Sequence, residues 1–273
     1  MNPISVNELT ESVNSNLPRD IKSTIAKNIL AEEKDSVVAK NIFSELINDL
    51  SSKTQREVIN ATGTVLHTNL GRSPNNISFS GSYTNIEYDL KTLARGKRNE
   101  YLSVLMNNLI GSKDIAFVNN NASSLFLSLK AISKSHNIQN VIISRGEIIE
   151  IGGSYRLPEI INETGLNLVE IGTTNKTNLS DYRKALEKYP NSLILKVHRS
   201  NFSINGFTED VSISELAELK NKYDVFLLHD LGSGLVIDKK FLEVNNVNIF
   251  RDEPFVQDSL SDGSDLVMFS GDK

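Results

Sequence analysis

Three short stretches place reactive or charged residues where apolar runs end. The first is "DLVMFSGDK" (265–273), where Leu266 to Phe269 give way to Ser270, Gly271, Asp272 and Lys273. A lysine at the end of a buried strand is a poor choice unless its amine reacts. Desolvation lowers an amine's pKa and makes it a usable nucleophile, as attachment through a Schiff base requires. The second is "HDLGSG" (229–234), after "DVFLL". Asp230 there ends a run that should form a central strand, and a carboxylate in that place needs a cation or strong donor beside it. Gly232 and Gly234 let backbone approach closely. A structural Asp capping the following turn and a metal carboxylate are the alternatives. The third is "NNNASS" (119–124), after "DIAFV". Asn120, Asn121, Ala122 and Ser123 would cap a helix and leave its first N–H groups for an anion. Taken alone, a plain N-cap accounts for it more simply.

Together the three are the fittings of a pyridoxal 5'-phosphate site. The cap would hold the phosphate, Lys273 would form the imine, and Asp230 would pair with the pyridinium nitrogen to keep the electron sink protonated. Ser270 could donate to the same anion as the asparagine-rich cap. No G-x-G-x-x-G or P-loop pattern occurs, so a dinucleotide or nucleoside triphosphate is not indicated. The histidines, His67, His136, His198 and His229, lack ligand spacing, and there is no cysteine, so no metal site and no disulfide is expected.

Residues of this kind must be carried to one edge of a sheet. From Val58 onward short apolar runs alternate with amphipathic stretches. "DIAFVN" (114–119), "NVIIS" (140–144), "LNLVEIG" (166–172), "SLILKV" (192–197), "DVFLLHD" (224–230) and "DLVMFS" (265–270) read as strands. Helices are expected between them, around Tyr155 to Thr164, around Leu179 to Lys188, and after the capping-box pattern at Ser212–Glu215. This β-then-α alternation predicts an α/β fold with a doubly wound, mostly parallel sheet, whose chemistry sits at the carboxyl ends of the strands. Residues 1–54 read instead as a small helical unit, with Ile21, Ile25 and Ile29 in one stripe. Val38, Ile42 and Leu46 form another, widened by Phe43, Ile47 and Leu50. The domain expectation is therefore 1–54 and 55–273.

Composition is that of an ordinary globular chain, with 39% hydrophobic and 23% charged among 273 residues. A net charge of −5 gives no overall case for nucleic acid, so any such binding would need a local patch. The N-terminus lacks a signal-peptide pattern and no run approaches a membrane span, which makes a cytoplasmic location the expectation.

Longer stretches carry a resemblance. "INATGTVLHTNLGRS" (59–73), "NIEYDL" (85–90), "VNNNASSLFLSLKA" (118–131), "ISRGEIIEIGGSYRLPEI" (143–160), "EIGTTNKT" (170–177) and "LKVHRSNFSINGFT" (195–208) lead in order to "HDLGSG" and "DLVMFSGDK". The series resembles bacterial selenocysteine synthase, L-seryl-tRNA(Sec) selenium transferase, from about Val58 to the last residue. The resemblance implies the large domain of a fold-type-I pyridoxal phosphate transferase, in a family that continues beyond the lysine into a C-terminal domain absent here. It implies conversion of seryl-tRNA(Sec) to selenocysteinyl-tRNA(Sec) with selenophosphate, through an aminoacrylyl intermediate. By the same resemblance Lys273 is the Schiff-base lysine, Asp230 the partner of the cofactor ring, and Asn120 to Ser123 the phosphate region. His198 and Ser200 lie near the ring and Arg72 near the selenium donor. The helical unit would contact tRNA, and the chain would assemble as a ring-like homo-oligomer. Two other readings fit the residues: a lyase of the same fold acting on a small amino acid or amino sugar, and a non-catalytic fragment that binds tRNA or a partner.

Overall fold

The structure, a computed structural model, describes residues 3–53, 57–64, 66–74, 81–237, 239–245 and 253–272. Its contacts divide the chain into two compact units, Met1–Leu70 and Gly71–Lys273.

The first unit contains α1 (Val6–Glu11), α2 (Arg19–Glu32) and α3 (Ser36–Ser52). Ser5 and Glu8 form a reciprocal capping box on α1, and Asp35 Oδ1 accepts from the N–H groups of Val37 and Val38 at the start of α3. Leu9, Ala26, Ile29, Ala39, Phe43 and Ile47 form the core of this unit. On α3, Phe43 and Ile47, from the widened part of the expected stripe, turn inward with Ala39, whereas Val38, Ile42, Leu46 and Leu50 are exposed. Two apolar stripes lie side by side on α3, and periodicity alone does not say which one its neighbours cover.

The second unit begins with two short antiparallel strands, β1 (Tyr88–Asp89) and β2 (Ala94–Arg95), followed by α4 (Glu100–Ile110) and α5 (Asn121–His136). Then come β3 (Asn140–Ser144), a small hairpin of β4 (Glu150–Ile151) and β5 (Tyr155–Arg156), α6 (Leu157–Glu163), β6 (Asn167–Ile171), α7 (Leu179–Lys188) and β7 (Ser192–Val197). The order continues with α8 (Ile213–Tyr223), β8 (Leu227–Gly232), α9 (Lys239–Val244), α10 (Val256–Ser261) and β9 (Leu266–Phe269). The main sheet has the order β6-β3-β7-β8-β9, and all its pairs are parallel. The central strands β3, β7 and β8 are buried almost throughout because helices cover both faces. Leu125 and Leu129 of α5 and Leu157 and Ile161 of α6 pack on one face with Leu193, Leu195, Val197 and Leu228. Tyr182 of α7 and Leu216 and Leu219 of α8 pack on the other, with Ile142, Ile194 and Leu227. Fully burying a leucine or isoleucine of this kind contributes about 1.5–3 kcal/mol.

The α/β class, the parallel sheet, and the strands at 140–144, 167–171, 192–197 and 266–269 follow the sequence expectation. The strand expected at 114–119 is absent from the sheet, and Phe117 and Val118 there are partly exposed. An apolar run becomes a strand only where a neighbour accepts its hydrogen bonds, and none pairs with this segment among the described residues. Among those residues no helix is long and apolar enough to cross a membrane.

Candidate active site

Strand alternation decides which charged side chains meet. Successive residues of a strand point to opposite faces. Leu228 belongs to the α5–α6 face, so Asp230 points to that face as well, while Leu227 and His229 point to the other. Asp230 is 2% exposed, and its Oδ1 accepts from Asn121 Nδ2 at 2.6 Å and from the Gly232 N–H at 2.9 Å. The contact joins the end of β8 to the first residue of α5, which the sequence separates by 109 positions. Asn120 caps α5 by accepting from the Ser123 N–H at 2.8 Å, and no acidic residue lies in the first turn through Asn121, Ala122 and Ser123. The positive end of the α5 dipole therefore lies beside the buried Asp230 carboxylate. Asn121 Oδ1 is buried without a hydrogen-bond partner among the described residues.

The backbone bends at this point. The β8–β9 register slips between Asp230 and Gly232, a bulge of the kind that re-aims side chains. Gly232 has φ +66°, and a Cβ there would lie 2.7 Å from Ser200 Oγ. Only glycine meets both demands. The His198 N–H donates to Asp230 O at 2.8 Å, and the Ser270 N–H to Gly232 O at 3.0 Å. Asn121, His198, Ser200, Asp230 and Ser270 thus converge on the carboxyl end of β8, with Asn120, Ala122 and Ser123 in the adjoining helix turn. Arg72, in a left-handed conformation at φ +62°, reaches Asp272 Oδ1 at 2.7 Å, the residue next to Lys273. Lys273 itself lies outside the described residues.

Sequence reasoning missed Glu253, whose Oε2 lies 3.7 Å from His198 Nε2 and which accepts from Ser233 Oγ and, at 3.1 Å, from the Gly234 N–H. Burial works to raise the pKa of its carboxyl, but the bonds from His198, Ser233 and Gly234 outweigh it and hold it below the usual range. No sequence pattern marks Glu253. A second cluster lies on the opposite face of the sheet; the sequence marks its Glu147 as a residue after a strand end without a role, and gives no sign of Lys196 or Asp210. Lys196 Nζ lies 2.5 Å from Glu147 Oε1 and also contacts Asp210, whose other oxygen accepts from Arg199 at 3.1 Å. Glu147 is 1% exposed. Burial, against the attraction of Lys196, pushes its carboxyl up to about 7. Burial works to lower the pKa of the Lys196 ammonium, but the two carboxylates hold it above its ordinary value. Asp210 is held below the carboxylate range despite its partial burial, by Lys196 and then Arg199. One cation shared by two acids leaves the deeper acid under-compensated, which is why Glu147 and Asp210 move in opposite directions.

His229 neighbours Lys196 in the register and bonds to Ser259 through Nδ1 at 2.7 Å. Burial, then Lys196 and His198, pull its pKa from 6.5 to about 3. The sign follows directly. Between those values the unfolded chain takes up a proton that the folded chain refuses, so stability falls as pH drops below 6.5. Acidification from pH 7 to 5 should cost about 2 kcal/mol from this group. In urea unfolding at the two pH values, His229→Gln should lose that share of the slope, and an identical slope would refute the assignment.

The fold and this edge define a class: a doubly wound α/β domain with a buried carboxylate and an anion-ready helix start at the carboxyl end of its sheet. Residues 58–273 match the SelA family, described as L-seryl-tRNA selenium transferase. The chain belongs to that family. It is 39% identical over 265 residues to the L-seryl-tRNA(Sec) selenium transferase of Campylobacter fetus subsp. fetus (strain 82-40), covering 93% of this chain and 58% of the relative. With the protein of the same description from Moorella thermoacetica identity is 45% over 225 residues, 80% of this chain and 46% of the relative. The chain thus spans roughly half of the length of the curated relatives it matches.

Proposed function

We propose that this chain binds pyridoxal 5'-phosphate at the carboxyl end of β8. In this reading it takes part in converting seryl-tRNA(Sec) into selenocysteinyl-tRNA(Sec), with selenophosphate as the selenium donor. Family membership supports the reaction class. The observation that carries the site is the meeting of Asp230 with Asn121 at the start of α5.

The residues suit the cofactor in three respects. The α5 start offers N–H groups to a phosphate dianion. Asp230 offers a carboxylate to a protonated ring nitrogen, and the orphaned Asn121 Oδ1 marks a place where a donor is wanted. When bound, the cofactor supplies an electron sink for loss of the serine hydroxyl and its replacement. Asp230 holds the proton on the ring nitrogen, and Asn121 and the Gly232 N–H fix the direction of its carboxylate. Ser270 adds a donor to the phosphate end. His198 and Ser200 line the ring side, His198 steadied by Glu253. Lys273 holds the cofactor covalently, and its ε-amine is the group that moves a proton at the substrate's α-carbon. Arg72 grips the oxyanion of the donor with a planar fork of N–H groups, releasing Asp272 to do so.

In the same reading the protein is cytoplasmic and the helical unit contacts the tRNA. The large unit also assembles with copies of itself. Exposed apolar side chains on α4, among them Tyr101, Leu102, Val104 and Leu105, support assembly. The test uses this chain with pyridoxal phosphate and borohydride. Reduction should fix a pyridoxyl group on Lys273, located by peptide mass spectrometry, and Lys273→Ala should carry none. A folded wild-type chain without the adduct would sink the proposal.

A further inference from the structure

The Lys196 cluster lies where the sheet changes direction. The chain passes from β3 outward to β6, then returns past β3 to β7, so β3 and β7 flank the switch point. Open α/β sheets separate there and form a crevice at their carboxyl edge. Here β7 is matched to β3 only as far as Ile194 opposite Ile142, yet it continues beside β8 to Val197 opposite Asp230. The last part of β7 therefore lacks a strand on its β3 side. Glu147, from the turn after β3, fills that side: its Oε2 accepts from the Val197 N–H at 3.0 Å. Its Oε1 is held by Lys196, which projects from β7 to the face opposite Asp230. The following residues are tied to the same group, since Arg199 bonds to Asp210, the second carboxylate on Lys196. Gly146 lets the turn after β3 lie against the backbone at Thr174, because a Cβ there would stand 2.5 Å from Thr174 O.

We propose that Glu147, held by Lys196 and Asp210, is a positioning residue. It replaces β3 as the partner of the last N–H of β7 and so sets the turn that carries His198 and Ser200 to the Asp230 strand end. Its purpose rests on the reading of that strand end as the cofactor site; its geometry does not. A cluster serving stability alone has no need of this form, since a buried ion pair is often matched by apolar residues of similar volume. Two features point to the turn instead: a carboxylate bond to the last N–H of β7, where the turn begins, and a guanidinium bond to the same cluster from Arg199 within it.

Two double variants separate the roles. Glu147→Gln/Lys196→Met removes both charges and keeps an acceptor for Val197. Glu147→Leu/Lys196→Met removes the charges and the acceptor. Amide hydrogen exchange is read for Val197 and His198 against Val141 and Leu228 in the full chain. In the Leu pair, exchange at Val197 and His198 should quicken by about tenfold or more while the core amides keep their rates. The Gln pair should stay near wild type. The absorption band of bound pyridoxal phosphate should weaken or move in the Leu pair only. Equal behaviour of the two pairs, or uniform acceleration across all four amides, would overturn the positioning role. If either pair fails to fold, Asp210→Asn, at the half-exposed edge, should shift the His198 and Ser200 amide resonances while those of Val141 and Leu228 stay in place, and unmoved His198 and Ser200 resonances would refute the proposal. A wild-type chain that takes up no cofactor counts against the functional reading alone, because the exchange comparison needs none.

Discussion

Asp230→Asn should leave a folded chain that still takes up pyridoxal phosphate on Lys273 but turns over poorly. The substitution keeps an oxygen for the Gly232 N–H, now donated at 2.9 Å, and so keeps the bulge at the end of β8. It removes the negative charge that, in the proposed site, would hold the ring nitrogen protonated. Activity should fall by about 10²-fold or more, the scale of losing one charge-stabilising group from an active site. Asp230→Ala should do the same chemical damage and add a structural cost. Asn121 Nδ2 and the Gly232 N–H would lose their acceptor in a site where the carboxylate is 2% exposed. Each buried donor left unsatisfied costs about 1–3 kcal/mol. The pair of variants thus separates the two functions of one side chain. The measurements are the absorption band of bound cofactor, turnover in the protein that performs the reaction, and urea unfolding. An unchanged band and unchanged turnover in Asp230→Asn would remove Asp230 from the ring-nitrogen position, whatever the stability data show.

The parts of the fold legible in the sequence were those where one local rule had no rival. β3 has an uninterrupted apolar run between polar ends, β7 carries the run Leu193–Leu195, and every residue of both strands is buried. Ser212 and Glu215 satisfy each other's end of α8 as their spacing predicts. The stretch at 114–119 has the same apolar texture, yet a strand also requires a partner, and the sequence does not state one. On α3 the sequence offered two adjacent stripes, and packing against Leu9, Ala26 and Ile29 chose between them. Site residues divide in the same way. Asp230 and Asn121 could each be suspected because a polar residue followed an apolar run. Glu253 lies 55 positions from His198 along the chain and meets it only in three dimensions. Lys196 sits inside an apolar run, where "LILKV" reads as a plain buried strand. Its partners Glu147 and Asp210 are 49 and 14 positions away, so the compensation that makes a buried lysine tolerable is visible only in three dimensions.

That compensation makes Glu147→Ala a strongly destabilising change in the large unit. Truncation leaves Lys196, itself 8% exposed, with one carboxylate, and that one is half in solvent. It also strips the Val197 N–H of its acceptor beside the switch point. Removing one partner of a buried ion pair costs about 3–5 kcal/mol because the remaining charge stays buried. One contribution works the other way. The Glu147 carboxyl is raised from 4.5 to about 7, so its ionised form is itself unfavourable in the fold. Between those values the folded chain holds a proton that the unfolded chain has released. The wild-type contribution of Glu147 is therefore fully present below pH 4.5 and declines as pH rises towards 7. Glu147→Ala should accordingly cost more at pH 5 than at pH 8, whereas Glu147→Gln, which resembles the protonated acid and keeps the acceptor for Val197, should cost less and flatten the slope. Urea midpoints for the three chains at both pH values test this. A loss in Glu147→Ala that is under about 1 kcal/mol, the level of an exposed pair, would show that the cluster is solvated and that Lys196 needs no partner inside the fold.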